Sequence, residues 1–148
     1  MGLGVDLMAK MEIKGIDELA LKISKLGEKS TEIAKDVVMA GAQPVADEIR
    51  KGLEKNLIGS KYSEGDLLNS LGIAPPGVDR NGNVNTKIGF DGYDSKGVPN
   101  PLKARVMESG SSKQKKRPFV RPAINRSKKK ALEEMQKKYD EELKKLFD

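Results

Sequence analysis

From Pro122 onward one pattern governs the chain. Leu132, Met135, Tyr139, Leu143 and Leu146 recur every three or four residues, so a helix over about 122–147 carries a single apolar stripe. Glu133 with Lys137, Glu134 with Lys138 and Glu141 with Lys145 stand four apart in the favourable acid-first order, each pair worth roughly 0.2–0.5 kcal/mol. That is too little to offset the cost of nucleating an isolated helix. The stripe has to be covered, either by the rest of this domain or by a neighbouring subunit. Leu132, Met135, Tyr139 and Leu146 approximate a heptad seam, but Glu142 interrupts it and argues against a long free-standing coiled coil.

The segment leading into this helix has three parts. Asn100 followed by Pro101 signals a short helix with a cap residue and a proline at its first position. Leu102, Val106 and Met107 are expected on one face of its body, Leu102 to Ser109, and Gly110 supplies the stop. Ser111 to Arg117 holds no apolar residue and four positive charges in seven positions, which predicts a solvated, mobile loop. Arg117-Pro118-Phe119-Val120-Arg121-Pro122-Ala123 follows, with Phe119 between two prolines. We read Phe119 as an anchor packed on the body of the domain.

Charge sharpens this picture. The 148-residue chain has a net charge of +6, with eleven Lys or Arg and a single acid, Glu108, between residues 103 and 130. The flanking stretches, 1–102 and 131–148, are each slightly acidic, so the basicity is one local patch. The length suits one domain with a real core.

Upstream, residues 1–10 read as a flexible lead-in to a single domain over 11–148, too short and too interrupted by charge for a signal peptide. Met11 to Gly15 alternates like a short edge strand. Asp17 is a candidate cap for an amphipathic helix carrying Ile16, Leu19, Ile23 and Leu26, ending near Gly27. Ser30 can cap a longer helix with Ile33, Val37, Ala42, Val45, Ile49 and Leu53. Pro44 should bend it, and Ala40-Gly41-Ala42 leaves room for a close neighbour. Asn56 to Gly65 is a polar connection, Asp66 caps a single turn, and Ser70 to Ala74 is extended. Asn81-Gly82, between Val78 and the alternating Val84, Thr86, Ile88 and Phe90, signals a hairpin. Helices, then strands, then helices give an α+β class: a small antiparallel sheet flanked by two long helices and one or two short ones.

The chain has no histidine and no cysteine, which removes the commonest general base and the softest metal ligands. Asp79 to Asn83 superficially suggests a calcium loop, but its glycine is misplaced and Phe90 stands where a bidentate Glu belongs. A hairpin turn explains the same residues, and Asp91 and Asp94 likewise read as turn residues. An enzyme is not expected, nor a metal or cofactor. No apolar run is long enough to span a membrane.

Two sets of residues remain as candidates. Lys113, Lys115, Lys116, Arg117 and Arg121 can face a polyanion, nucleic acid above all, or an acidic partner surface. Only Phe119 among the six aromatics lies within the patch, so a base-stacking platform is not on offer and contact would be nonspecific. Phe119, Leu132, Met135, Tyr139 and Leu146 form the candidate anchor and subunit-contact set.

Four segments in order carry a family resemblance: Met11-Glu12-Ile13-Lys14-Gly15-Ile16-Asp17-Glu18-Leu19, the run Gly65 to Leu71, the helix end Ala104 to Gly110, and Arg117 to Ala123 before a charged helix. Together the chain resembles the small minor tail proteins of tailed bacteriophages and prophages, the tail-completion or head-tail joining proteins. That resemblance implies a non-enzymatic virion protein, present in the bacterial host cytoplasm during assembly. It also implies a homo-oligomeric ring contacting other neck and tail proteins, with nonspecific contact to phage DNA as a further possibility. Ser111-Ser112 departs from the Gly-Thr pair expected after Gly110, and the loop here is longer and more basic. The alternative reading is a free-standing nonspecific nucleic-acid binder using residues 103–130.

Overall fold

The computed structural model describes residues 3–7, 9–11, 14–58 and 65–147. In chain order they form β1 (Leu3–Leu7), β2 (Ala9–Met11), α1 (Ile16–Ser24), a 3-10 turn (Gly27–Lys29), α2 (Ser30–Leu57), α3 (Asp66–Asn69), β3 (Leu71–Ile73), β4 (Gly77–Val78), β5 (Val84–Phe90), α4 (Asn100–Ser109) and α5 (Val120–Phe147). The class is α+β, as the sequence order implies.

α2 is the centre of the core. Its stripe of Ile33, Val37, Val38, Ala42, Val45, Ile49 and Leu53 is fully buried. One edge of the stripe packs on α5 and another on β5. Pro44 sits inside α2 without ending it. The proline removes one helical hydrogen bond, but the apolar residues on both sides stay in phase and burial holds the two halves together. Gly41 is where α5 comes closest: a β-carbon there would lie 2.6 Å from Cγ and Sδ of Met135. The stripe of α5 is thus covered from within the chain, with Ala123, Ala131, Met135 and Tyr139 buried.

β5 supplies the sheet's apolar face. Val84, Thr86, Ile88 and Phe90 are buried while Asn85, Lys87 and Gly89 alternate on the other side, the period of a strand with one face covered. The hairpin at Asn81-Gly82 forms as expected, with Val78 opposite Val84. Gly82 takes a left-handed φ of 79°, and Asp79 closes the turn by accepting the amides of Asn81 and Asn83 at 2.8 and 2.9 Å. The Asp79 carboxylate is thus used by the turn. β3 pairs antiparallel with the second half of β5, Leu71 opposite Phe90.

The amino-terminal reading needs correction. Within residues 1–10, expected as a lead-in, 3–7 and 9–10 lie in strands: β1 pairs antiparallel with β2 and parallel with β5, Leu3 beside Val84. The sheet therefore runs β2-β1-β5-β3 and carries one parallel pairing. A parallel pair needs a long crossover and leaves no local turn signal to read. Of the expected strand at Met11 to Gly15, Met11 ends β2 while Glu12 and Ile13 lie outside the described residues, as do positions 59–64 of the connection after α2.

Helix starts also differ in detail. α1 and α3 are each entered through a glycine with positive φ, Gly15 and Gly65, so Asp17 and Asp66 stand in the first turn instead of capping. Their charge there still suits the helix dipole. α1 buries Leu19, Ala20 and Ile23.

Candidate functional site

The basic patch is mounted on α4, and α4 does not sit as its sequence suggests. Asn100 is its first residue, not its cap, and donates from Nδ2 to the Asp91 carbonyl at 3.0 Å. Met107 is buried as expected, but with Ala104 and Lys103 beside it, while Leu102 is exposed. Lys103 can be buried because Nζ lies 2.9 Å from Asp94 Oδ2. Asp94 also accepts the backbone amides of Lys96 and Val98 through Oδ1, at 2.9 and 2.8 Å. Lys103 first, then those amides, hold the Asp94 carboxyl below the usual carboxylate range.

Glu108, the lone acid of the patch, does something the sequence did not reveal. Its Oε1 accepts the backbone amides of Phe119 and Val120 at 2.8 and 2.7 Å, and Oε2 accepts that of Arg121 at 3.1 Å. These are the free donors at the start of α5, and the next residue, Pro122, has none to satisfy. One carboxylate from α4 therefore caps the whole amino-terminal turn of α5. The sole clue in the sequence was a single acid among eleven cations.

The same clamp fixes the loop between the helices. Arg117 donates its amide to the Met107 carbonyl at 2.7 Å, and Asn56 of α2 donates from Nδ2 to the Arg117 carbonyl at 2.7 Å. Ser111 and Gln114 bond reciprocally through their backbones. Gly110 makes the loop's first turn possible, with φ 78° and ψ 178°, a combination nearly exclusive to glycine. The loop is solvated, as expected, and its backbone is bonded to α4 and α2 at Arg117.

Phe119 is the anchor the sequence suggested. It is 2% exposed, its ring meets Phe90 edge-on with centroids 6.0 Å apart, and its β-carbon approaches Gly52 of α2. Met135 and Tyr139 are equally committed to the chain's own core, and Leu132 is half-buried against it. Phe119, Met135 and Tyr139 are thus engaged within the chain, while Leu132 keeps part of its surface toward solvent. Leu146, at 38% exposure, is the member of the set left on the surface, next to Phe147 at 79%.

Lys113, Lys115, Lys116, Arg117 and Arg121 are all exposed. None forms an ion pair with another described residue, whereas Lys103, Arg126 and Lys130 of the same basic stretch pair with Asp94, Glu48 and Glu134. Arg126 donates from Nε to Glu48 at 3.0 Å, and with Lys51 it keeps that carboxyl below its ordinary range against the opposing pull of desolvation. The expected Glu-first pairs on α5 are replaced by Lys130 with Glu134, Lys138 with Glu141 and Glu142, and Lys145 with Glu142. Among the described residues no group of three or more Asp or Glu comes together as a metal site, and no helix is long and apolar enough to cross a membrane.

The chain thus combines an α+β scaffold with an exposed cationic loop between α4 and α5. The chain belongs to the family described as "Bacteriophage HK97-gp10, putative tail-component", which matches residues 17–106. The matched part runs from α1 into α4; β1, β2, Glu108, the loop and α5 lie outside it. No curated protein and no solved structure matches the chain.

Proposed function

We propose that this phage tail component acts in head-tail joining or tail completion, as a virion protein that assembles with copies of itself and with neighbouring neck or tail proteins. Family membership supports the structural role. The observation that carries the finer reading is the exposed loop between α4 and α5, whose last residue, Arg117, is bonded to Met107 and Asn56 and which stands where a neighbouring component can meet it. The exposed Leu146 and Phe147 at the far end of α5 offer a second, apolar contact. Asp79, Asp94, Glu48 and Glu108 are all engaged within the fold, which suits a structural role. During assembly the protein would reside in the bacterial host cytoplasm.

The test is deletion of the gene from the phage or prophage that carries it, with particles viewed by electron microscopy. Unjoined heads and unfinished tails are expected, and purified wild-type particles should contain the protein by mass spectrometry. Normal numbers of joined, infectious particles in its absence would overturn the proposal.

A further inference from the structure

We propose that the surface formed by Lys113, Lys115, Lys116, Arg117 and Arg121 binds the phosphate backbone of duplex DNA without reading its sequence. The inference concerns the isolated protein and stands or falls separately from the role in tail assembly.

These five are the cations of the loop and of the first turn of α5, a subset of the eleven in the basic stretch; Arg105, Lys128 and Lys129 lie outside that surface along the two helices. Three other cations of the stretch are occupied by carboxylates: Lys103 by Asp94, Arg126 by Glu48 and Lys130 by Glu134. The one acid of the stretch 103–130, Glu108, turns both oxygens toward the amides that begin α5. Its carboxylate is therefore engaged away from the loop, and among the described residues no carboxylate lies within ion-pair distance of the five exposed cations. Five like charges within nine residues make a local positive field that attracts a polyanion.

The side-chain chemistry favours nucleic acid over an acidic protein. Protein interfaces are centred on buried aromatic, Met and Arg anchors and are depleted in lysine. Here three of the five cations are lysines, and Phe119, the one aromatic residue in the segment, is buried beneath them. Lysine serves phosphate as a point charge and needs no apolar surroundings. Without an exposed aromatic there is nothing for unstacked bases to lie on, which points to an intact duplex contacted through its phosphates. Fixing of the loop backbone at Met107 and Asn56 lowers the ordering cost on binding.

The experiment uses the full-length protein and a short labelled duplex of arbitrary sequence, followed by fluorescence anisotropy. If about five phosphates are neutralised, log affinity falls against log salt with a slope near −4.5, which is roughly a 500-fold loss between about 50 and 200 mM salt. Joint replacement Lys113→Ala, Lys115→Ala, Lys116→Ala and Arg117→Ala should abolish binding while leaving the circular dichroism spectrum and melting unchanged. Joint Lys144→Ala and Lys145→Ala, at the other end of α5, should leave binding largely intact. Scrambling the duplex sequence should change nothing. No binding at low salt, a flat salt dependence, or undiminished binding by the fourfold variant would overturn the proposal. So would polyglutamate, single-stranded RNA or vesicles of anionic lipid binding as tightly as the duplex.

Discussion

Replacing Glu108 with alanine should loosen α5 at its root. The substitution removes three charge-assisted hydrogen bonds, at 2.8, 2.7 and 3.1 Å. The Arg121 amide is exposed and recovers a water, whereas those of Phe119 and Val120 are partly buried above the Phe119 anchor. Two stranded amides at about 1–2 kcal/mol each predict a loss of roughly 2–4 kcal/mol. For a chain of this length that lowers the melting temperature by about 5–15 °C. Glu108→Gln is the informative companion. Its carbonyl oxygen can still accept two amides as Oε1 does, so only charge assistance and the third bond are lost, about 1 kcal/mol. Urea unfolding followed by far-ultraviolet circular dichroism, at low and at high salt, measures both. The capping loss is short-ranged and should survive high salt, while any added repulsion among the loop cations is screened away. An alanine variant within about 0.5 kcal/mol of wild type would refute the clamp, since that is the range of an ordinary surface substitution.

Gly41→Ala sets a gain in helix propensity against a β-carbon 2.6 Å from the buried Met135 side chain, and a net loss of about 1–2 kcal/mol in urea unfolding is expected. Met135→Ala in the same chain should reverse the sign of the Gly41 effect, because the obstructing atoms are gone. Gly110→Ala meets both an unfavourable φ of 78° and the Lys116 amide nitrogen at 2.9 Å, and should cost about 1–3 kcal/mol with a shifted loop visible in amide exchange. Acid stability follows from Asp94 and Glu48, whose carboxyls are both held below their ordinary range. A depressed folded-state value means stability that is present above the unfolded carboxylate values, about 4, and is lost as pH falls through the folded ones. Asp94→Asn should therefore flatten the decline in unfolding free energy below about pH 4; an unchanged pH profile would remove the Asp94–Lys103 pair from the account.

What the sequence showed and hid divides along physical lines. The Asn81-Gly82 hairpin, the continuous stripe of α2 through Pro44 and the Phe119 anchor were legible because each is specified within a few residues of itself. The β1 pairing was not, because Leu3 finds its partner at Val84, across the whole of α1 and α2. The cap of α5 was hidden for a related reason. Capping residues are sought just before a helix, and here the cap arrives from twelve positions upstream of Val120, through a loop whose path had to exist first. The burial of Lys103 was likewise unreadable until the turn at Asp94 placed a carboxylate beside it.

The stripe of α5 illustrates why an amphipathic helix is weak evidence for docking. Its periodicity demanded a cover, and α2 supplies most of it, burying Ala123, Ala131, Met135 and Tyr139 while Leu132 and Leu143 are partly buried and Leu146 and Phe147 are exposed. Cutting the chain at Gly110 would therefore remove Phe119, Met135 and Tyr139 from the core and unfold the protein, so loss of assembly after that cut could not be assigned to lost docking. The loop is different. Its side chains are exposed, its backbone is closed on Met107 and Asn56, and its charge can be removed without touching a core atom. Folding and partner contact are thus separable in this chain at the loop and inseparable along α5, which makes the loop cations the place where a defect in assembly can be attributed to contact alone.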